Sequence, residues 1–138
     1  MPGAETRILI IEDYPPNSLL LRDLLEVNGF AVSEASTAEA GVAAARAERP
    51  DLILMDLALP GMDGLEATRR LKQSAETRDI CIVALTAHAM KDDADKALRS
   101  GCDAYLTKPI ETRSFVADVR RLLARHARVD CGGAGGRP

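Results

Sequence analysis

Cysteine is scarce in this chain of 138 residues: Cys81, Cys102 and Cys131 cannot all pair, and none stands in a Cys-x-x-Cys spacing. That excludes a disulfide framework and makes a reduced, cytosolic (cytoplasmic) protein the simplest expectation. No apolar run approaches the roughly 18 residues that a membrane span needs. The opening MPGAETR lacks the apolar core of a secretory signal. Basic charge is not in excess either: 18 Lys and Arg stand against 21 Asp and Glu, a net charge of −3, so there is no electrostatic case for nucleic acid. The length leaves no room for a second, effector domain. What is present is an ordinary globular balance, 46% hydrophobic and 28% charged, in a chain long enough for one real core.

Apolar runs of strand length recur at 8–11, 31–35, 52–55, 80–85 and 104–106, with helical periodicity between them. Leu20, Leu21, Leu24 and Leu25 form one face of a first helix, which Pro16 opens at its first position. Ala40, Ala43, Ala44 and Ala47 form a narrow face on a second, started by Ser36 and Glu39 as a capping box. Asp63 and Glu66 carry the same start signal for a third. A fourth, about 92–99, has the weakest pattern; Phe115, Val119, Leu122 and Leu123 line the fifth. Residues 1–6 and the Gly-rich stretch 128–138 have almost nothing to bury and are expected as disordered ends around a domain at 7–127.

Five β-then-α units predict an α/β fold: a single (βα)5 doubly wound, five-stranded parallel sheet with helices on both faces. The first, third and fourth runs are nearly continuous aliphatic, as strands covered on both faces must be. The second (AVSEA) alternates and the fifth (AYL) is short, which suits edges. The order 2-1-3-4-5, flavodoxin-like, satisfies both. Ligands of such sheets bind outside the carboxyl ends of the strands, where the winding reverses.

Reading off those ends gives one constellation. Glu12 and Asp13 follow the first strand, Asp56 the third, Thr86 ends the fourth and Lys108 follows the fifth. At an effective dielectric of about 20, two like charges some 4 Å apart repel by about 4 kcal/mol. Three gathered acids therefore imply a screening cation or a modified acid. All-oxygen ligands with room left for waters or a phosphoryl group favour Mg²⁺. Asp56, at the centre, is the candidate nucleophile toward phosphorus, with Glu12 and Asp13 as metal ligands. Lys108 supplies a second positive charge, and the Thr86 hydroxyl can donate to a phosphoryl oxygen.

The runs IEDYPPN, DLILMDLALPGMDGLEATRRLK, ALTAHAM and GCDAYLTKPI resemble the response-regulator receiver domain (CheY-like) of two-component signalling, from about Arg7 to Arg125. RDLLEVNGF and ALTAHAMKDD are most similar to the DivK-type single-domain regulators. The resemblance implies a receiver domain at 7–127 in which Asp56 accepts phosphate from a histidine kinase or histidine phosphotransfer protein. Glu12, Asp13, Asp56 and the Ala58 backbone carbonyl would bind Mg²⁺. Lys108 would contact the phosphoryl group, with a cis peptide possible before Pro109, and Thr86 and Tyr105 would be the switch pair. The output surface would be the face of helix four, strand five and helix five, which carries Lys91, Asp92, Asp93, Asp95 and Lys96.

The implied protein is a signalling switch in a phosphorelay. It is not an enzyme beyond its self-catalysed phosphorylation and dephosphorylation. It would act as a monomer or weak homodimer, with no nucleic-acid or membrane partner. Tyr14-Pro15-Pro16 departs from relatives that carry a small polar residue after the acidic pair. His88 and Ala58 flank the water route in the family. Alternatives are a receiver cut from a hybrid histidine kinase, a phosphatase of the haloacid-dehalogenase type, and a flavin mononucleotide carrier. The phosphatase would need a second acid two residues after its nucleophile, where this chain has Ala58. The flavin carrier would need a hydroxyl- and glycine-rich loop where it has EDYPP.

Overall fold

The computed structural model describes residues 6–57, 64–86, 95, 98–108 and 110–135, the last nine of these by backbone alone. The elements are β1 (Arg7–Ile11), α1 (Pro15–Glu26), β2 (Ala31–Ala35), α2 (Ala38–Glu48), β3 (Leu52–Asp56), α3 (Gly64–Gln73), β4 (Cys81–Thr86), β5 (Ala104–Thr107) and α4 (Thr112–Gly135). The strands form one parallel sheet in the order β2-β1-β3-β4-β5. That is the order predicted from strand chemistry. β3 and β4 are buried along their whole length and β1 at every residue after Arg7, whereas β2 and β5 are half-exposed edges.

Successive strand residues point to opposite faces, and the aliphatic runs therefore feed two cores. Leu9, Ile11, Ile53, Met55, Ile82 and Ala84 pack under α2 and α3. Ile8, Ile10, Leu52, Leu54, Val83 and Leu85 pack under α1 and α4, with Phe115, Val119 and Leu122 as the α4 face. The α4 positions agree with the predicted stripe, although Leu123 is only partly buried.

Several local readings are corrected. The buried face of α2 is Ala38, Gly41, Val42 and Ala45, while Ala40, Ala43 and Ala47 are exposed. In a run this rich in alanine, spacing alone leaves the phase open. Close approach decides it, because a Cβ on Gly41 would lie 2.7 Å from Ile11 Cγ1. The N-cap of α2 is Thr37, whose hydroxyl accepts from the Ala40 amide at 3.0 Å, and not Ser36. On α1 the buried side is Ser18, Leu21 and Leu25, and Leu20 is exposed. The α4 backbone runs on to Gly135, into the stretch expected as a flexible tail. Each residue added to an existing helix gains a hydrogen bond, against roughly 1 kcal/mol per glycine. Asp63 and most of the expected fourth helix lie outside the described residues; Asp95, Leu98 and Arg99 are helical.

Candidate functional site

Backbone bonds fix the carboxyl ends of the strands. The Glu12 amide donates to the Ala35 carbonyl, the Leu57 amide to Leu85 and the Lys108 amide to Thr86, at 3.0, 3.0 and 2.7 Å. Glu12, Asp56, Thr86 and Lys108 therefore hang from a common rim. Glu12, Asp56 and Thr86 are buried, Asp13 is exposed and Lys108 lies between. Each of Glu12, Asp13 and Asp56 offers an oxygen, all within 4.8 Å of one another. Lys108 Nζ bridges two of them, 3.1 Å from Glu12 Oε1 and 3.2 Å from Asp56 Oδ2. The other Glu12 oxygen accepts from the Tyr14 amide at the entrance to α1, at 3.2 Å.

One cation among three acids leaves the cluster short of positive charge. Burial pushes the Glu12 carboxyl above its ordinary value, and the hydrogen bond and charge of Asp56 push it further; Lys108 offsets only part. Burial alone would lower Lys108, yet its hydrogen bond to Glu12 and the Asp56 charge outweigh this and hold it above the ordinary lysine value. The ammonium stays charged while Glu12 resists ionising. A hard, oxygen-seeking divalent cation fits this donor set, since it would supply the missing charge and uses neither nitrogen nor sulfur.

The predicted residues thus converge, with two qualifications. Tyr105 lies on the same face of the sheet as Thr86, its register partner being Ala84, and is 37% exposed. Ala58, His88 and Pro109 lie outside the described residues. A cleft of about 380 Å³ opens beside Glu12 and Lys108 and runs along Asn17, Leu20, Leu21 and Ile110. Leucine spacing in α1 hid the role of Leu20 in that wall.

Gly64 was also missed, although a glycine opening a helix directly after MD is a visible signal. A Cβ there would lie 2.7 Å from the Asp56 carbonyl oxygen and 3.0 Å from Leu57 Cα, backbone atoms that cannot step aside. Gly64→Ala is therefore expected to cost about 1–3 kcal/mol of stability. Urea denaturation checks this, and a midpoint equal to that of the native chain would refute the contact.

The model of the response-regulator receiver domain matches residues 8–120. The chain is 40% identical over 116 residues to the polar-differentiation response regulator DivK of Brucella anthropi, covering 84% of this chain and 94% of that one. A CheY-like response regulator receiver domain protein from Methanospirillum hungatei superposes with a TM-score of 0.83 at 27% identity, covering 91% of this chain and 98% of that one. The receiver domain of a Pseudomonas aeruginosa sensor histidine kinase, with a magnesium ion coordinated in its active-site cleft, gives 0.77 at 35% identity, covering 88% and 97%. With the acidic pair, the central aspartate, the threonine and the lysine on one rim of a 2-1-3-4-5 sheet, the chain belongs to the response-regulator receiver domains of two-component systems.

Proposed function

We propose that Asp56 is the phosphoacceptor of a phosphorelay switch. The observation that carries this is the shared lysine: Lys108 sits within 3.2 Å of Asp56 while also holding Glu12, in a cluster that lacks positive charge. An Asp56 oxygen attacks phosphorus, and the bond from phosphorus to the imidazole nitrogen of a histidine kinase or phosphotransfer protein breaks. The electron pair leaves with the imidazole. Lys108 follows the charge onto the phosphoryl oxygens, and the Thr86 hydroxyl donates to one of them. Glu12, Asp13, Asp56 and the Ala58 carbonyl would hold Mg²⁺, which when bound offsets the charge of carboxylate and phosphoryl group together.

The donor protein is expected against α1, where Leu19, Leu20 and the N-cap residue Tyr14 are exposed and Leu20 lines the cleft. Phosphorylation adds about −1.5 to −2 charges and three acceptor oxygens. Thr86 and Tyr105, on one face of the sheet, carry that change toward the face of β5, α4 and the helix before β5. The compartment is the cytoplasm, where such kinases present their histidine. The likeness to receiver domains of histidine kinases supports a second reading, a receiver module of a hybrid kinase.

Intact mass after incubation with acetyl phosphate and Mg²⁺ tests the reading. One added phosphoryl group is expected. No adduct, together with a spectrum unchanged by beryllofluoride and Mg²⁺, would refute it.

A further inference from the structure

At the opposite ends of the strands lies a second cluster with different donors. Cys81 opens β4, Asp103 immediately precedes β5, and His126 reaches over from α4; a sulfur, an oxygen and a nitrogen from the three lie within 4.8 Å of one another. β4 runs from Cys81 to Thr86, so the cluster stands about 16 Å from the acidic rim. We infer that Cys81, Asp103 and His126 form a binding site for a divalent transition-metal ion of the zinc class.

The orientation of the ligands carries the inference. His126 Nε2 lies 2.6 Å from the Asp79 carbonyl oxygen. A carbonyl only accepts, so Nε2 bears the proton and, in the neutral ring, Nδ1 presents a lone pair. This backbone anchor on the far nitrogen is the arrangement that orients metal-bound histidines. Asp103 is held in the same way. Its Oδ2 accepts from the Ile82 amide at 2.8 Å and from Lys72 Nζ at 2.9 Å, while Oδ1 faces His126 Nδ1 at 3.9 Å. That separation is too long for a hydrogen bond. It is close to the span of about 3.4 Å between two donors on one tetrahedral zinc, taking metal–ligand bonds of about 2.0–2.2 Å. The Cys81 sulfur completes a thiolate, imidazole and carboxylate set, which suits zinc and cobalt and not magnesium. A small cavity of about 110 Å³ between Asp103, Leu122, Arg125 and His126 leaves space for a water as fourth ligand.

Two cations oppose the ion. Lys72 already takes part of the Asp103 charge, and Arg125 lines the cavity. Loss of the thiol proton answers this. As the metal–sulfur bond forms, the Cys81 S–H bond breaks and its proton passes to solvent, so each bound ion releases one proton and gains one negative ligand.

The test uses the full chain carrying Cys131→Ser, which removes the thiol near the end of α4, in excess Mg²⁺ to occupy the acidic rim. Titration with Co²⁺ is expected to give a thiolate-to-cobalt charge-transfer band that saturates at one ion per chain, releases one proton and is displaced by Zn²⁺. Cys81→Ser removes the band. His126→Ala, at a partly buried position with the side chain 17% exposed, weakens Co²⁺ binding by about 100-fold or more, since even outer partners of metal ligands cost 10–100-fold. No band, or one that survives His126→Ala at unchanged affinity, overturns the site. If Cys81→Ser fails to fold, the His126→Ala titration alone decides.

Discussion

The Asp56→Asn chain is expected to take up no phosphoryl group from acetyl phosphate and, without Mg²⁺, to resist unfolding better than the native chain by about 1–3 kcal/mol. Asp56 is only 3% exposed, with Glu12 and Asp13 oxygens within 4.8 Å. At an effective dielectric of about 20 each such repulsion is about 3–4 kcal/mol. Lys108, at 3.2 Å, returns an attraction of about 5 kcal/mol by the same rule, so a net repulsion of about 2 kcal/mol and the desolvation of a charge remain. Asparagine removes both and adds a donor for its neighbours. Urea midpoints in a chelator check this; an asparagine chain that unfolds more easily than the native one would mean that Lys108 outweighs the repulsion.

The ranking reverses with Mg²⁺ present. A ligand at 100 times its dissociation constant adds about 2.7 kcal/mol to the chain that binds it, and Asp56→Asn loses a ligand. The pH dependence follows from Glu12, whose folded pKa is raised by burial and then by Asp56. Above the ordinary value of 4.5 the folded state keeps a proton that the unfolded state has released, so native stability falls as pH rises toward the raised folded value. Without the Asp56 charge that fall is shallower. The two chains should converge in acid, where the carboxylates are uncharged.

Lys108→Met is the second large effect. Phosphorylation by acetyl phosphate is expected to slow by about 10²–10³, the usual cost of deleting one preorganised group that stabilises transition-state charge. Methionine keeps most of the stem and removes the ammonium. It leaves Glu12 and Asp56, both almost fully buried, without their shared cation. Breaking a buried pair from one side costs about 3–5 kcal/mol. Lys108 is 21% exposed, which puts the expected loss at the lower end of that range. Rates from intact mass over time check the first effect, and a rate within about threefold of native would remove Lys108 from the transfer step. Mg²⁺ affinity should rise, because the competing cation is gone.

The fold was legible because its three central strands are almost purely aliphatic, a pattern that burial on both faces demands. The convergence of Glu12, Asp13, Asp56, Thr86 and Lys108 followed from strand ends alone, since parallel strands bring their carboxyl termini to one rim. Phase within α2 was not legible, because alanine on every side gives no contrast and only contact with Ile11 selects Gly41 for the interior. The cap at Thr37 and the exposure of Leu20 failed for a similar reason: neighbouring residues of one chemical type compete, and tertiary geometry chooses. The cluster of Cys81, Asp103 and His126 had no local signal at all. Its members come from three separate stretches of chain and meet only when α4 packs beside β4 and β5.

The Thr86 carbonyl is clamped by the Lys108 amide at 2.7 Å, and its backbone ends a strand buried along its whole length. A β-branched side chain on so fixed a stem has one soft coordinate, rotation about χ1, with three staggered wells and few of them open. A hydroxyl carried on that stem does not slide by degrees toward a new acceptor; it jumps. In the switch proposed above, whatever reads this rim would therefore read the fraction of molecules in each well, and a stronger signal would mean more molecules turned rather than each molecule turned further.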